Sequence, residues 1–165
     1  MPKIVNNIHP FWGGPFSQWY SCEFRVECCL YNSAEQYMMA KKAELFGDLE
    51  VLLKIMTTDD PRKQKALGKL VAGFDKAQWE TVARDVVFRA NMAKFTQNRD
   101  LYDYLMSTGN QLIVEASPYD AIWGVKLGEE DPRIYNQAQW QGTNWLGNVL
   151  MDVRSALIPL STAAE

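Results

Sequence analysis

The stretch YNSAEQYMMAKK at residues 31–42 decides the fold, because it leads the chain from an alternating segment into its first helix. Asn32 is placed to cap this helix. That puts Glu35 at the third helical position, where a glutamate can reach back to the cap amide. Lys42 follows about two helical turns later, so both side chains project from the same face. From these residues alone, Glu35 is either a capping glutamate or a functional acid.

Patterns on either side of this stretch predict the remaining elements. Apolar and polar residues alternate over 24–30, which predicts one half-buried strand leading into the helix. A β-branched run over 111–116 predicts a second short strand. Helical spacing of apolar residues, with aspartate caps and glycine or proline stops, predicts the helices. Their expected positions are 33–46, 49–56, a segment beginning at Pro61, 76–97, 100–107 and 144–158, the last ended by Pro159 and followed by a frayed tail at 161–165.

The balance of these elements predicts a mainly α fold. Five or six helices with two or three short strands, and no regular alternation of the two, exclude a doubly wound sheet. A chain of 165 residues with 47% hydrophobic content is long enough for one core and too short for two. We therefore expect a single compact helical domain over residues 1–165, with its core at about 9–158 and short flexible termini.

Charge and composition exclude several classes of function. The net charge of -3 and the sequence pI ≈ 5.3 argue against a broadly basic nucleic-acid face, although they allow a local phosphate pocket. The basic residues Arg62, Lys63, Lys65 and Lys69 form either such a phosphate contact or a solvated helix face. The first residues lack an apolar signal core, and no segment stays uncharged for the ~20 residues of a membrane span. We expect a soluble, cytoplasmic protein with no membrane partner.

The cysteines and the nucleotide motifs exclude further kinds of site. Three cysteines, Cys22, Cys28 and Cys29, lack CxxC spacing, and His9 is the single histidine, so no metal site is predicted. Cys28 and Cys29 would point to opposite faces of the expected strand, which places one in the core and the other at a surface or pocket. Neither a GxGxxG nor a Walker pattern occurs, and no cofactor is predicted.

Six short segments share aromatic, glycine and charged residues in a specific arrangement. They read FWGGPFSQWY at 11–20, AEQYMMAKKA at 34–43, KFTQN at 94–98, EASPYDAIWG at 115–124, GTNWLG at 142–147 and LMDVR at 150–154. Each is weak evidence alone. Together and in this order they resemble the NADAR family (NAD- and ADP-ribose-associated, also called YbiA-like N-glycosidases), and the resemblance covers nearly the whole chain.

The resemblance implies a mainly helical fold and an enzyme that hydrolyses an N-glycosidic bond to a phosphorylated ribose or an ADP-ribosyl group. Two substrate classes follow from it: ribosylaminopyrimidine phosphates of riboflavin synthesis and ADP-ribosylated guanine bases. The family's catalytic glutamate matches Glu35, its helix lysine matches Lys42, and its loop aspartate and tryptophan match Asp120 and Trp123.

These residue types suit the chemistry. A carboxylate beside C1' stabilises positive charge on the ribose and can deprotonate the attacking water, and we assign that work to Glu35. Lys42 would hold Glu35 ionised, bind a phosphate or a ribose hydroxyl, or form an imine with the opened sugar. A simple charge pair with Glu35 is the alternative.

The remaining candidates each have an ordinary structural alternative. Asp120 would orient ribose hydroxyls or protonate the leaving base, or be a turn residue. Trp123 would stack on the base or fill the core. Gly142 and Asn144 precede the last helix, whose first amides would receive a phosphate unless Asn144 is an ordinary cap. Lys94 is a weaker substrate-contact candidate, and we expect it to be solvated.

The chain departs from the family pattern at three places. It has FSQ at 16–18 where many relatives have Leu-Ser-Asn, GK at 68–69 where many have Gly-Arg, and WGVK at 123–126 where many have Trp-Gly-Ile-Gly. A lysine in place of glycine would add a phosphate ligand or block a substrate, and it removes the backbone freedom of glycine. Substrate identity therefore does not carry over.

We hypothesise a metal-independent N-glycoside hydrolase that uses no cofactor and has Glu35 at its centre. The alternative, from another class, is a non-catalytic module that binds or senses ADP-ribose or a nucleotide. The expected partner is a small ribosyl phosphate or ADP-ribosyl compound, or ADP-ribosylated nucleic acid. The catalytic candidates are Glu35, Lys42 and Asp120, and the substrate-binding candidates are Gln18, Trp19, Lys69, Lys94, Trp123, Lys126, Gly142 and Asn144.

Overall fold

A computed structural model describes residues 2–163, with side chains for residues 2–158. Within that range the chain forms six α-helices and four short β-strands, which confirms the predicted mainly α class. The helices are α1 Ala34–Leu45, α2 Leu49–Met56, α3 Pro61–Gly68, α4 Lys76–Gln97, α5 Arg99–Ser107 and α6 Trp145–Ala163. The strands are β1 Ile8–Phe11, β2 Phe24–Val26, β3 Cys29–Tyr31 and β4 Leu112–Glu115, and two short 3-10 helices cover Pro132–Tyr135 and Gln137–Gln139.

The chain divides into two compact units. The helical unit is Gln18–Arg99, and the terminal unit combines Met1–Ser17 with Asp100–Glu165. The expected single domain with a core at about 9–158 stays a prediction.

Helix α1 is the centre of the helical unit, where it contacts α2, α3 and α4. Its small residues Ala34, Ala40 and Ala43 have no exposed surface, so the neighbouring helices can approach its backbone closely. Aspartates cap the next three helices: Asp48 accepts from Val51, Asp60 from Arg62 and Asp75 from Gln78. Helices α2, α3 and α4 therefore bury most of α1, including the acid in its first turn, Glu35.

The predicted single strand over 24–30 is wrong, because the chain reverses within it. Strands β2 and β3 pair antiparallel, with Phe24 opposite Tyr31, and Glu27 takes a left-handed φ of 55° in the turn. Both Cys28 and Cys29 are exposed, so the prediction that one of them lies in the core is also wrong. A turn places adjacent side chains in solvent, whereas a continuous strand would have separated them.

In the terminal unit, β1 and β4 pair in parallel, from Ile8 opposite Leu112 to Phe11 opposite Glu115. Strand β4 lies within the predicted range of 111–116, whereas β1 was not predicted. All four β1 residues are buried, which removes the alternation that marks a half-buried strand. Helix α6 packs against β4. This arrangement positions the segment that follows β4, at residues 116–128.

Helix α6 differs from its predicted range of 144–158. Its backbone stays helical through Pro159 to Ala163, so the predicted stop at Pro159 is wrong. A buried stripe of apolar residues up to Leu157 anchors the helix before the proline, and such packing can outweigh the ~3 kcal/mol cost of an internal proline. The tail predicted to fray at 161–165 is helical in backbone to Ala163, and its last two residues lie outside the described range. Across residues 2–163, no helix has the length and apolarity that crossing a bilayer requires.

Candidate active site

The start of α1 is capped by Ser33. Its Oγ accepts a hydrogen bond from the Gln36 amide at 3.0 Å, and the Gln36 Oε1 accepts from the Asn32 amide at 2.8 Å. The interpretation of Asn32 as cap and Glu35 as capping glutamate is therefore wrong. The sequence contains two overlapping cap patterns, Asn32 with Glu35 and Ser33 with Gln36, and the second one forms. The cap of α1 is therefore formed by Ser33 together with Gln36.

Glu35 sits at the second helical position and is only 6% exposed. Its backbone amide donates to the Gln18 carbonyl at 3.0 Å, which ties the first turn of α1 to the chain before β2. The amino end of a helix carries partial positive charge, and this favours a carboxylate at that position. The helix end therefore offsets part of the cost of burying this carboxyl.

Lys42 lies on the same helix as Glu35 and is electrostatically coupled to it. Burial lowers the pKa of the Lys42 ammonium, the Glu35 charge raises it, and the Lys69 charge lowers it. Its Nζ lies 4.3 Å from the centroid of the Phe74 ring, a cation–π distance. The structure thus brings two of the predicted residues, Glu35 and Lys69, within electrostatic range of a third, Lys42.

Close packing of α3 on α1 explains why Lys69 reaches this group. Gly68, the last residue of α3, is buried, and a Cβ there would collide with the Met39 sulfur. Lys69 follows directly at the C-cap of α3 and is exposed. Replacing the glycine would separate the two helices or displace Met39, so the Gly68–Lys69 pair depends on a small residue next to the cation.

Both ends of the Gln18 side chain contact the protein. Its Oε1 accepts from Asn91 Nδ2 at 3.1 Å, and its Nε2 lies 4.0 Å from the Met38 sulfur. The sequence analysis missed Asn91, which is fully buried on α4. The available signal was its place one turn after Val87, on the apolar stripe of that helix. The Gln18 carbonyl also accepts a hydrogen bond from the Glu35 amide. We therefore interpret Gln18 as a brace that holds the start of α1 in place.

Trp19 is 39% exposed, and the Lys65 ammonium lies 6.0 Å from the centroid of its ring. An indole with this much accessible surface is available for stacking on a planar ligand. The Lys65 ammonium places a positive charge next to this indole.

Lys94 is fully buried, so the expectation that it is solvated is wrong. Its Nζ lies 5.5 Å from the Tyr20 ring and 5.1 Å from the Phe95 ring. Burial lowers the pKa of Lys94 to about 8, and the nearby Cys22 opposes that shift. One of the two rings, Tyr20, comes from a segment distant in sequence, which is why the pattern of α4 alone did not reveal the burial.

In the terminal unit, Asp120 organises its own loop. Its Oδ1 accepts hydrogen bonds from the amides of Ile122 and Trp123, both at 2.8 Å, while Ser117 Oγ accepts from the Asp120 amide at 3.2 Å. This is the geometry of a turn residue, the structural alternative for Asp120. Trp123 is half-buried and packs edge-to-face on Trp145, with ring centroids 5.4 Å apart.

The amides at the start of α6 are occupied. Those of Thr143, Asn144, Trp145 and Leu146 donate to carbonyls of residues 121–124 over distances of 2.8–3.1 Å. The predicted phosphate contact at these amides is therefore wrong, because their hydrogen bonds hold the Asp120 loop instead. A Cβ on the preceding glycine would collide with the carbonyl oxygens of that loop, so this position, Gly142, needs a residue without a side chain.

Asn144 joins α6 to β4 with its carboxamide. Its Nδ2 donates to the Ile113 carbonyl, and its Oδ1 accepts from the Glu115 amide, both at 3.0 Å. The side chain is only 1% exposed, and its backbone has a left-handed φ of 53°. Asn144 therefore continues the hydrogen bonding of the strand edge and is not directed at a ligand.

Comparison with known proteins decides the family. Residues 10–158 match the family model of the NADAR domain. The chain belongs to the NADAR domain family. The resemblance expected from the six segments is thereby confirmed.

Three similar proteins give this membership more detail. The NADAR chain is 44% identical over 144 residues to N-glycosidase R617 of Acanthamoeba polyphaga mimivirus, covering 84% of the chain and 85% of the relative. It is 40% identical over 130 residues to Protein irg-1 of Caenorhabditis elegans, covering 77% of the chain and 61% of the relative. The NMR structure of the E. coli protein YbiA aligns with a TM-score of 0.78 at 25% identity, covering 98% of this chain and 90% of that one.

Lys126 stands where the family resemblance led us to expect glycine, and its backbone has a conformation that glycine favours. Its φ is 57°, in the left-handed region, and its side chain is exposed. Non-glycine residues pay about 1–2 kcal/mol in this region. Lys126 therefore holds a backbone conformation to which glycine is better suited.

The predicted site residues of this NADAR chain divide between the two units. The helical unit holds Lys42 with its electrostatic partners Glu35 and Lys69, and the brace Gln18; it also holds Trp19 and Lys94. The terminal unit holds Asp120, Trp123, Lys126, Gly142 and Asn144. Among the described side chains, no group of three His, Cys, Asp or Glu residues could hold a metal ion.

Proposed function

We propose that this NADAR chain is an N-glycosidase that hydrolyses the C1'–N bond of a ribosyl phosphate or an ADP-ribosyl conjugate. The observation that carries the proposal is the placement of Glu35: a buried carboxyl in the first turn of α1, coupled to the Lys42 ammonium. A relative named an N-glycosidase, 44% identical over 144 residues, supports the reaction class.

The proposed reaction uses the negative charge of Glu35 twice. The C1'–N bond breaks with its electron pair on the base nitrogen, and the ribose gains oxocarbenium character that the carboxylate stabilises. The oxygen of a water molecule then bonds to C1'. The water passes one proton to Glu35, and Glu35 returns it through solvent to the departing base nitrogen, which regenerates the carboxylate.

The coupled cations favour a phosphorylated substrate. The Lys69 charge is close enough to Lys42 to lower the pKa of the Lys42 ammonium. A phosphate between them would relieve this repulsion through charge-assisted hydrogen bonds. We assign Lys69 to a substrate phosphate and Lys42 to holding Glu35 ionised beside the ribose.

Two further roles rest on the family resemblance. We propose that Asp120 orients a ribose hydroxyl or protonates the leaving base through Oδ2, because its Oδ1 already accepts from two amides. We propose that the Trp123 indole stacks on the base, a contact worth about 1–3 kcal/mol. ADP-ribosylated guanine and the ribosylaminopyrimidine phosphate of riboflavin synthesis are the two proposed substrates.

Incubation of the purified protein with each substrate tests the proposal. An ADP-ribosylated guanine oligonucleotide and a ribosylaminopyrimidine phosphate are used in separate reactions, and released base and sugar are measured by mass spectrometry. We expect release from one of them and its loss in Glu35→Gln. Binding of either compound without release would instead favour a non-catalytic module for ADP-ribose or nucleotides.

A further inference from the structure

A buried polar network surrounds the entry to α1, and Gln64 of α3 is its centre. Gln64 has no exposed surface. Its Oε1 accepts from Ser33 Oγ at 2.9 Å, and its Nε2 donates to Asn32 Oδ1 at 2.9 Å and to the Thr58 carbonyl at 2.8 Å. One carboxamide thus joins α3, the segment between α2 and α3, and the residues that begin α1.

A second glutamine, Gln36 of α1, belongs to the same network. Gln36 donates from Nε2 to the carbonyls of Ile55 and Thr58, at 3.1 and 3.3 Å, while its Oε1 accepts from the Asn32 amide. Asn32 Nδ2 also donates to the Thr58 carbonyl at 3.3 Å. The Thr58 carbonyl therefore receives three side-chain donors, and every polar end of both glutamines is used.

We propose that Gln64 is a positioning residue for Glu35. Ser33, whose hydroxyl donates to Gln64, is the N-cap two residues before Glu35, so its position fixes the first turn of α1. A half-satisfied buried network is costly, so the network admits one arrangement of that turn. Catalytic groups need placement within about 0.5 Å, and a misplacement of about 1 Å can cost 10²-fold in rate.

The sequence pattern of α3 did not predict this role for Gln64. The segment reads as a basic helix, and Gln64 lies among residues expected to face solvent. Its burial depends on the close approach of α3 to α1. The same close approach is seen at Gly68, where a Cβ would collide with Met39. This inference rests on the proposed function of Glu35, and it concerns how that acid is held.

Gln64→Met tests the role, because methionine keeps the length of the side chain and removes both polar ends. We expect kcat to fall about tenfold or more with KM within about twofold, since the acid is misplaced while the substrate contacts remain. Asn32→Ala, which keeps the Ser33–Gln64 bond, is the milder second variant with a smaller fall in kcat.

Thr108→Val is the matched control. Thr108 is a buried hydroxyl of the terminal unit that accepts from Arg154 at 2.8 Å and donates to the Leu105 carbonyl. Its replacement should lower the Tm by a similar amount and leave kcat unchanged. Equal kcat values in Gln64→Met and the wild type, with a Tm loss like that of Thr108→Val, would overturn the positioning role.

Amide hydrogen exchange separates this inference from the proposed function. Gln64→Met should speed exchange at the Glu35 and Gln36 amides, which donate to the Gln18 carbonyl and to Ser33 Oγ, whereas Thr108→Val should not. Unchanged exchange at both amides would reject the role of Gln64 even if no substrate were cleaved. Failure of the wild type to cleave any N-riboside would reject the proposed function alone.

Discussion

The start of α1 and the start of α6 are held in contrasting ways. At α1, the side chains of Ser33, Gln36 and Gln64 form hydrogen bonds that hold the turn containing Glu35. At α6, backbone amides of residues 143–146 donate directly to carbonyls of the Asp120 loop, and one side chain, Asn144, ties the helix to β4. A side-chain network can be disturbed by one substitution with little change in shape, whereas a backbone-held loop depends on close packing.

Asn144→Ala should produce the largest stability effect of the substitutions considered for the terminal unit. It removes two buried hydrogen bonds and leaves a residue with a Cβ at a left-handed φ of 53°. We expect a loss of about 2–4 kcal/mol in the free energy of unfolding, measured by urea denaturation. Asn144→Gly is the matched control: it loses the same bonds but relieves the backbone, so it should be about 1 kcal/mol less destabilised. Equal losses would show that backbone conformation contributes nothing here.

Lys42 tests the electrostatic arrangement of the helical unit. Lys42→Met removes the cation coupled to Glu35, and we expect kcat to fall about tenfold to 10²-fold. Lys42→Arg keeps the positive charge over Phe74 and should retain most of the activity. Steady-state kinetics on the released base checks both variants. An arginine variant as inactive as the methionine variant would contradict the charge role and favour an amine that reacts covalently with the sugar.

His9 should make the stability of the terminal unit depend on pH. Burial lowers the pKa of His9, its hydrogen bond with Gln111 raises it, and the charge of Arg154 lowers it, with a net decrease. The folded state therefore disfavours the charged imidazole. Stability contributed by this effect is complete above the ordinary histidine pKa of about 6.5 and is lost as the pH falls through the lower folded value.

Comparing unfolding free energies of the wild type and His9→Gln between about pH 8 and pH 5 checks this prediction, because His9 is the single histidine. The wild type should lose stability toward acid relative to the variant. Parallel pH profiles would show that His9 is not the source of the change. Hydrogen exchange in β1 should report the loss before exchange in α1 does.

Lys126→Gly should have the smallest effect, and it is stabilising. Glycine adopts the left-handed φ of 57° without the steric cost of a Cβ, although it adds entropy to the unfolded chain. We expect a gain of up to about 1 kcal/mol in the free energy of unfolding by thermal denaturation. Lys126→Ala keeps the Cβ and removes the charge, so it should give no comparable gain. A gain in alanine equal to that in glycine would assign the effect to charge.

Local signals in the sequence predicted most of the helical unit. The caps Asp48, Asp60 and Asp75 lie next to the helices they start, and α4 matches its predicted range of 76–97. The i, i+7 spacing of Glu35 and Lys42 likewise predicted their coupling, since it depends on helix geometry alone. The prediction of Asn32 as the cap failed, because Ser33 with Gln36 forms a second cap pattern one residue later and long-range bonds to Gln64 favour Ser33.

Features that leave no local signal in the sequence could not be predicted. The hairpin turn places Glu27 at a positive φ without the glycine or asparagine that usually marks such a turn. The burial of Lys94 needs the Tyr20 ring from a segment more than seventy residues earlier. The Lys69 charge acts on Lys42 because α3 packs on α1, a contact that no local pattern of α3 encodes.

The central claim, that the carboxylate of Glu35 carries the reaction, is tested most directly by comparing binding and turnover in Glu35→Gln. Calorimetry gives the affinity for the substrate that the wild type cleaves, and single-turnover kinetics gives the rate of base release. We predict an affinity within about threefold of the wild type and a rate lowered about 10²- to 10⁴-fold. A Glu35→Gln variant that releases base as fast as the wild type would contradict the account.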